Sequence, residues 1–257
     1  LEAAQRLADE LARLRPGAPR PALLPLTTDG RSWLLHSARW WPLAPADFAA
    51  VWEARPGARP VGLIMGRRVE FPRWTASFGR DYAFTGQVAR GRPVAEAPAP
   101  AAAVVDALTA GCATLREFNQ VLLNWYETDP GAKPDYIGAH SDDERELAGG
   151  APILSLSWCS SGHRRRFRLT PKPGVADALT PPSWRDPKLA GAVCALGNGD
   201  LIVMGGACQR THKHEILTPG ADAAEKTGRR ANLTFRRFGA ARGATVPMGG
   251  AAASVSV

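Results

Sequence analysis

Hydrophobic residues near the N-terminus recur at helical spacing. Leu7, Leu11 and Leu14 lie three or four residues apart with charged residues between them, which puts them on one face of a helix. The pattern predicts a short surface helix over residues 1–15, and Pro16-Gly17 ends it.

Two more helices are predicted before the chain becomes extended. Residues 45–52 begin with a proline, which helices accept at their first position. Between residues 104 and 122 apolar side chains step by three or four positions, so a longer amphipathic helix is predicted there. The preceding residues 88–103 are rich in proline and alanine and are predicted to form a loop.

Short apolar or alternating runs predict strands in the rest of the chain. Residues 61–65 and 68–71 flank Gly66-Arg67 and predict a hairpin. Beyond residue 124 such runs are separated by turn residues, which is typical of an all-β barrel or jelly roll. The other predicted strands cover residues 32–36, 154–158, 164–169, 201–204 and 231–235.

Composition adds a positive charge to this picture. The 257 residues include 32 Lys or Arg and 24 Asp or Glu, which gives a net charge of +8 and a pI near 9.8. This surplus suits a polyanion such as nucleic acid, but it suits solubility equally well. The cysteines, Cys112, Cys159, Cys194 and Cys208, form no C-x-x-C pair and predict reduced thiols.

No apolar run reaches the length of a membrane span, and no signal peptide is visible. We therefore expect a monomer without membrane contact inside the cell, in the nucleus if the source is eukaryotic and in the cytoplasm otherwise. The chain begins at Leu1 instead of Met, so a targeting segment could have been removed.

His140 and Asp142 are the first candidates for chemistry. In an extended segment, residues two apart point to the same side, so an imidazole and a carboxylate can converge on one ion. A distant second histidine would complete the facial triad of non-haem Fe(II) oxygenases. A single H-x-D pair is a weak signal. Residues 211–214 offer His212 and His214, which share a face, and spacing alone does not choose between them.

Two arginines and two aromatic residues also have even spacing. Arg230 and Arg236 lie six residues apart, so both fall on one face of a strand. Near a metal, two guanidinium groups suit a dicarboxylate such as 2-oxoglutarate, although a solvated strand edge is the alternative. Tyr82 and Phe84 share a face as well, which by itself favours core packing.

Several motifs occur in an order that chance does not explain. They are Pro72-Arg73, Tyr82-x-Phe84-x-Gly86, Asn124-x-Tyr126, His140-x-Asp142-Asp-Glu-Arg-Glu-Leu147, Pro152-Ile153 with Ser155-x-Ser157, Gly199-Asp-Leu201 and Arg230-x-Asn232-Leu-Thr-Phe-Arg236. Together they resemble the AlkB family of Fe(II)/2-oxoglutarate dioxygenases, and most closely the branch that repairs alkylated bases in eukaryotic DNA. The resemblance covers roughly residues 60–237.

The resemblance implies a fold and a division of the chain. The expected fold is mainly β with flanking helices (α+β), a double-stranded β-helix or jelly roll with an N-terminal nucleotide-recognition lid. Residues 1–103 would form the N-terminal helices, strands and lid, and residues 104–238 the dioxygenase core. Residues 239–257 would be a flexible Gly/Ala-rich tail, with the whole chain acting as one functional domain.

The resemblance also implies the cofactors and their ligands. His140, Asp142 and His214 would bind Fe(2+), with 2-oxoglutarate and O2 as cosubstrates. His214 is favoured over His212 because His214-x-Ile216 followed by Pro219 resembles the third-ligand segment of the family. The residues implied for 2-oxoglutarate are Asn124, Tyr126, Arg230, Asn232 and Arg236, with Arg230 on the far carboxylate.

For the substrate, the resemblance implies a flipped nucleobase. Tyr82 and Phe84 would stack on it opposite the His140 ring, and Glu144 would contact its exocyclic edge. Ile64-Met65-Gly66 resembles an apolar finger that some members insert into a duplex. Its tip is aliphatic and not aromatic, which argues against strong double-strand insertion. Candidate phosphate contacts are Arg67, Arg68, Arg73 and the basic residues 163–168, with a solvated face as the alternative.

The implied activity is oxidative demethylation of N-alkylated bases such as 1-methyladenine and 3-methylcytosine in DNA or RNA, with release of formaldehyde, succinate and CO2. One alternative is the same chemistry on a protein or a small molecule. Another is a nucleic-acid-binding module without catalysis. The aromatic pair, Arg73 and the positive charge argue against the first, and the intact triad argues against the second.

Overall fold

The structure is a computed structural model that describes residues 1–84, 87–129, 131–142, 144 and 146–239. The side chains of Ile64, Phe84 and Gln87 lie outside the described part. The predicted tail beyond residue 239 lies outside it as well.

Strands outnumber helices in the described residues, which confirms the predicted mainly β class. The helices are α1 (Glu2–Leu14), α2 (Pro45–Glu53), α3 (Ala99–Gly111), α4 (Cys208–Thr211) and α5 (Ala223–Lys226), with 3-10 turns at Val94–Glu96 and Pro182–Trp184. None of these helices has the length and apolar character that a membrane-spanning helix needs. The strands are β1 (Ala22–Pro25), β2 (Ser32–Ser37), β3 (Val61–Ile64), β4 (Arg67–Glu70), β5 (Trp74–Phe78), β6 (Tyr82–Phe84), β7 (Gln87–Ala89), β8 (Gly91–Arg92), β9 (Gln120–Thr128), β10 (Ile137–His140), β11 (Ile153–Cys159), β12 (Arg165–Pro171), β13 (Ala192–Leu196), β14 (Asp200–Gly206), β15 (His212–Ile216) and β16 (Gly228–Arg236).

Two sheets form the jelly roll. The major sheet has the strand order β1-β2-β14-β11-β16-β9-β5-β8, and the minor sheet has the order β10-β15-β12-β13. Neighbouring strands are antiparallel except β5 and β8, which are parallel. The strand pairs β3–β4 and β6–β7 form two separate hairpins.

Side chains alternate between the two faces of the major sheet. On β16, Ala231, Leu233 and Phe235 enter the large apolar core to which α1, α2 and α3 also contribute. Arg230 and Asn232, on the opposite face, line a cavity between the sheets. The alternation along one strand therefore separates the core of the protein from its polar cavity.

A second apolar cluster joins the two sheets. Phe167 and Leu169 of β12 pack in one cluster with Ile202 and Met204 of β14, and Trp184 belongs to the same cluster. Because such interiors are close-packed, this contact fixes the distance between the sheets and hence the geometry of the cavity beside it.

The predicted helix over residues 104–122 is wrong in its extent. Helix α3 ends at Gly111, and β9 begins at Gln120. The helical period continues past the end of α3 because Cys112, Leu115 and Phe118 enter the same core from consecutive turns. A turn every three residues imitates the spacing of a helix in the sequence.

The predicted loop over residues 88–103 is also wrong. It contains parts of β7, the short strand β8, a 3-10 turn and the first turns of α3. Helix α3 has a proline in its first turn, where the missing N–H has no helical partner, and the alanines that follow are the best helix formers. The boundary at residue 103 falls inside α3, and the division of the chain stays a prediction.

Candidate active site

Two histidines and one aspartate come together in the cavity between the sheets. His140 ends β10 and pairs with His214 of β15, and their ring centroids lie 4.2 Å apart. Asp142 follows two residues later. Candidate ligand atoms from the three residues all lie within 4.8 Å of one another, a spacing that suits one bound ion.

A backbone hydrogen bond orients the imidazole of His140. Its Nδ1 lies 2.8 Å from the carbonyl oxygen of Gly138. Since that carbonyl can only accept, Nδ1 carries the proton and donates. The other nitrogen, Nε2, lies 3.7 Å from Oδ1 of Asp142, where it can serve as a metal ligand.

His214, and not His212, belongs to this group. The Nδ1 of His212 lies 2.8 Å from the hydroxyl of Thr211, and the carbonyl of His212 accepts a hydrogen bond from Ser141. Burial, followed by the charge of the neighbouring His140, lowers the pKa of His214 to about 3. Its ring is therefore neutral, as a metal ligand must be.

Arg236 holds the carboxylate of Asp142. Its Nε and Nη2 lie 3.1 Å and 2.8 Å from Asp142 Oδ2, while the buried Oδ1 has no hydrogen-bond partner in the described part of the chain. Burial alone would raise the pKa of Asp142, but Arg236 and the two histidines lower it to about 2. The carboxylate is ionised, and one of its oxygens is left for a cation.

Arg230 is a buried cation with unused donors. Its Nη2 donates to Ser157 and to Asn232, whereas Nε and Nη1 have no hydrogen-bond partner among the described residues. A buried charge is costly unless it is paired. The unused donors therefore fit the carboxylate of a bound dicarboxylate.

The other residues predicted to bind 2-oxoglutarate surround Arg230. The pairing of β9 with β16 puts Tyr126 opposite Arg230 and Asn124 opposite Asn232. Asn124 accepts a hydrogen bond from Thr75 at 2.8 Å. All five predicted residues line one cavity of about 640 Å³, and so do His140 and His214. Asp142 is buried and is hydrogen-bonded to Arg236 of the cavity lining.

Tyr82 and Glu144 form another part of the cavity wall. The Tyr82 hydroxyl donates to Glu144 Oε1 at 2.6 Å, and the buried Oε2 has no hydrogen-bond partner in the described residues. Burial, followed by the charge of Asp142, raises the pKa of Glu144. Tyr82 also packs edge-on against Phe238, so it serves the core as well as the cavity. The side chain of Phe84, its predicted companion, lies outside the described part.

The predicted finger Ile64-Met65-Gly66 is the turn of the β3–β4 hairpin. Ile64 pairs with Arg67, so Met65 and Gly66 form a two-residue loop with φ values of 50° and 76°. Both values suit a type I′ turn, whose positive φ angles are favourable for glycine and unfavourable for methionine. Met65 is 98% exposed, so the hairpin presents an apolar tip to solvent.

The candidate phosphate contacts lie in different environments. Arg73 lines the cavity, and Arg67 and Arg68 are exposed on β4. Arg165 is fully buried and donates to the carbonyl oxygens of Asp135 and Leu217.

A phosphate contact is therefore wrong for Arg165, which supports the fold instead. Two other arginines of β12 are engaged in ion pairs, Arg166 with Glu225 and Arg168 with Glu215.

Two residues beside the triad were not predicted. The side chain of Gln209 accepts a hydrogen bond from the backbone nitrogen of Asp142 at 2.9 Å. Ser141 donates to the carbonyl of His212 at 3.0 Å. These bonds fix the segment between His140 and Asp142. Ser141 could have been suspected as the residue between two ligands, but no pattern marks Gln209, which lies 67 residues away along the chain.

Two sheets that hold a pair of histidines, a carboxylate and a buried arginine define a non-haem iron oxygenase. The chain belongs to the 2OG-Fe(II) oxygenase superfamily, whose family model matches residues 57–236.

Two relatives are similar to this chain in sequence and point to one family within the superfamily. DNA oxidative demethylase ALKBH2 of Homo sapiens is 30% identical over 180 residues, which cover 68% of this chain and 60% of that protein. ALKBH2 of Bos taurus is 34% identical over 180 residues, which cover 68% of this chain and 56% of that protein. These relatives confirm the resemblance to the AlkB family, and the chain spans less than two thirds of their length. The solved structure of OsALKBH1 is 17% identical and aligns with 80% of this chain and 96% of that chain at a TM-score of 0.48.

The residues present fit the cofactors of the superfamily. Two imidazoles and an ionised carboxylate suit Fe(2+), and the Asp142 oxygen that has no hydrogen-bond partner among the described residues lies 3.7 Å from Nε2 of His140. The unused donors of Arg230 suit 2-oxoglutarate. Fe(2+), 2-oxoglutarate and O2 are therefore the cofactors of this protein.

Proposed function

We propose that this protein oxidatively demethylates N-alkylated nucleobases, such as 1-methyladenine and 3-methylcytosine, in DNA or RNA. The observation that carries the proposal is the hydrogen-bonded pair of Tyr82 and Glu144 in the wall of the cavity that His140 and His214 also line. The similarity to two proteins named DNA oxidative demethylases supports it.

The Tyr82–Glu144 pair suits the edge of an alkylated base. Tyr82 occupies Oε1 of Glu144, so Oε2 is left to accept a hydrogen bond from the exocyclic amino group of adenine or cytosine. Methylation at N1 of adenine or N3 of cytosine makes the base cationic. A carboxylate in a partly buried cavity then favours the alkylated base over the neutral one.

A base inside a duplex must leave the stack before it can reach the cavity. Unstacking costs a few kcal/mol, and stacking on aromatic side chains returns about 1–3 kcal/mol per base. Tyr82 lines the cavity, and Phe84 and the His140 ring are the further stacking surfaces that we propose. Ile64-Met65-Gly66 would assist at the hairpin tip, and Arg73 would contact a phosphate.

Each group of residues has its own part in the reaction. We assign His140, Asp142 and His214 to the iron, and Asn124, Tyr126, Arg230, Asn232 and Arg236 to the 2-oxoglutarate pocket. When bound, the iron, 2-oxoglutarate and O2 supply the oxidation that turns the N-methyl group into a hydroxymethyl group, with succinate and CO2 as coproducts. Arg236 keeps Asp142 ionised and oriented through two hydrogen bonds. The hydroxymethyl group then leaves as formaldehyde and restores the base.

The proposed partner is nucleic acid, and the net charge of +8 supports it. Because one chain supplies every residue assigned to the site, a monomer is sufficient for activity. An intracellular location, in the nucleus or the cytoplasm according to the source, follows from the substrate.

The test is release of formaldehyde and succinate with Fe(II), 2-oxoglutarate and O2 on strands that contain 1-methyladenine or 3-methylcytosine. We expect both products on methylated strands and neither on unmodified ones. Glu144→Gln should lower kcat/KM on methylated strands about tenfold, because it loses a charge-assisted hydrogen bond. Glu146→Gln, on the exposed neighbour, is the matched control. Turnover of 2-oxoglutarate that no methylated strand stimulates would instead point to a protein or small-molecule substrate.

A further inference from the structure

A partly buried ion pair lies outside the site, between the hairpin β3–β4 and the segment that leads to His140. Nη1 of Arg59 is 2.8 Å from Oδ1 of Asp135, and Nη2 is 3.0 Å from Oδ2. The side chain of Asp135 is fully buried. The Nη2–Oδ2 contact is a charge-assisted hydrogen bond, and the Nη1–Oδ1 contact is a close approach of opposite charges without a hydrogen bond. Together they can hold the two segments next to each other.

Further hydrogen bonds hold Asp135 in place. Its Oδ2 accepts a hydrogen bond from the backbone nitrogen of Glu127 at 2.8 Å, and its own nitrogen donates to the carbonyl of Glu127 at 3.2 Å. Arg165 donates to the carbonyl of Asp135. Strand β10 begins two residues later, at Ile137, and ends at His140. The position of Asp135 therefore sets where β10 starts.

Arg59 is at the base of the hairpin. The nitrogen of Phe71 donates to the carbonyl of Pro60 at 2.9 Å and closes the hairpin, and the nitrogen of Tyr136 donates to the carbonyl of Pro72 at 3.3 Å. The guanidinium of Arg59 also lies over the Trp74 ring at 4.1 Å. Both ends of the hairpin thus meet the segment 135–136, one through a side chain and one through the backbone.

The hairpin lies outside both sheets of the jelly roll. Among the described strands, β3 and β4 pair only with each other, and an isolated two-stranded hairpin is marginally stable in water. We propose that the Arg59–Asp135 ion pair is a positioning device that holds the hairpin in register with His140. A nucleic acid strand held at Met65 then presents its base to the cavity. This proposal rests on the proposed function for its substrate, although not for its geometry.

Loss of the Arg59–Asp135 ion pair should weaken binding of the nucleic acid strand and leave the chemical step unchanged. His140 keeps its bonds to Gly138 and its pairing with His214, so the iron and 2-oxoglutarate sites stay intact. The hairpin amides should exchange hydrogen faster, and the KM for a methylated strand should rise while kcat changes little.

Two variants and a matched control test this. Arg59→Leu removes one partner and leaves the carboxylate of Asp135 buried and unpaired, which by itself lowers stability. The double variant Arg59→Leu/Asp135→Asn removes both charges, so it shows the effect of losing the ion pair without that cost. Arg55→Leu is the control, because Arg55 also lies over Trp74, at 5.5 Å, and forms its ion pair with Glu53 on the surface. Amide hydrogen exchange of residues 61–70 and the KM values for methylated single strand and for 2-oxoglutarate are measured.

We expect amide hydrogen exchange in residues 61–70 to become about tenfold faster in Arg59→Leu and in the double variant, with a comparable rise in the KM for the strand. The KM for 2-oxoglutarate and kcat should stay within about twofold. Normal exchange and KM in the double variant would overturn the proposal, as would equal loss of all parameters. If the wild-type protein acts on no methylated strand, the proposed function fails. Amide hydrogen exchange of residues 61–70 then tests by itself whether the Arg59–Asp135 ion pair holds the hairpin.

Discussion

Among single residues, Arg230 is the one whose side-chain shape, and not only its charge, should matter for binding 2-oxoglutarate. Lysine would keep the charge but replace the planar fork by one ammonium group. Since a hydrogen bond to a charged group contributes about 1.5–3 kcal/mol, we expect Arg230→Lys to raise the KM for 2-oxoglutarate about 10- to 100-fold. Arg229→Lys is the matched control, because its ion pair with Glu127 is at the surface. An unchanged KM would mean that 2-oxoglutarate binds elsewhere.

His163 makes the stability of the fold depend on pH. Its side chain is buried, with Nδ1 3.1 Å from the carbonyl oxygen of Thr227. Burial, followed by the charge of Arg165, lowers its pKa from 6.5 to about 4. The unfolded chain binds this proton near pH 6.5 and the folded chain only near pH 4. The stability is therefore complete above pH 6.5 and is lost as the pH falls through 4.

The size of this loss follows from the two pKa values. One pKa unit corresponds to about 1.4 kcal/mol, so His163 accounts for about 3 kcal/mol between pH 7 and pH 4. We expect His163→Gln to lower the free energy of unfolding at pH 7 but to flatten its pH dependence by that amount, measured by urea denaturation at several pH values. The same acid slope in both proteins would contradict the assignment.

The residues of the candidate site could be proposed from the sequence, but their contacts could not. Even spacing predicted that Arg230 and Arg236 share a face, because strand side chains alternate. That Arg236 pairs with Asp142, 94 residues away, depends on how two sheets approach each other. His212 and His214 have the same parity, and only the register that puts His140 opposite His214 separates them.

At the scale of elements, strands were easier to predict than the ends of helices. The strand pattern is local, since alternation along β16 already gives its two faces. The end of α3 is not marked by the apolar period, because Leu115 and Phe118 continue that period from turns. Tertiary packing uses the same apolar residues in either conformation, so the period alone could not locate Gly111.

The β3–β4 hairpin allows a prediction of its own. An aliphatic tip such as Met65 offers no ring to stack in a duplex, so the wild-type protein should prefer single strands. Met65→Trp should raise the ratio of duplex to single-strand kcat/KM about tenfold, given the energy of base stacking. Val88→Trp is the matched control, since Val88 is 51% exposed on the neighbouring β6–β7 hairpin. Equal ratios in all three proteins would exclude the tip from duplex binding.

At the scale of the whole molecule, the question is whether the charge of +8 is placed for a partner or spread for solubility. Arg67 and Arg68 are exposed on the hairpin whose tip carries Met65. Arg6 and Arg13 are exposed on α1, which packs on the helix-covered face of the major sheet, away from the cavity. The two pairs carry the same charge in opposite parts of the fold.

Salt dependence distinguishes the two interpretations. Each phosphate contact on a single strand contributes about 0.7 to the slope of log affinity against log salt. We expect Arg67→Gln/Arg68→Gln to reduce the slope for a single-stranded oligonucleotide by about 1.4, measured by fluorescence anisotropy at several salt concentrations. Arg6→Gln/Arg13→Gln changes the net charge equally and should leave the slope unchanged. If both double variants reduce the slope alike, net charge and not its placement governs binding, because a long-range field depends on total charge whereas counterion release depends on contacts.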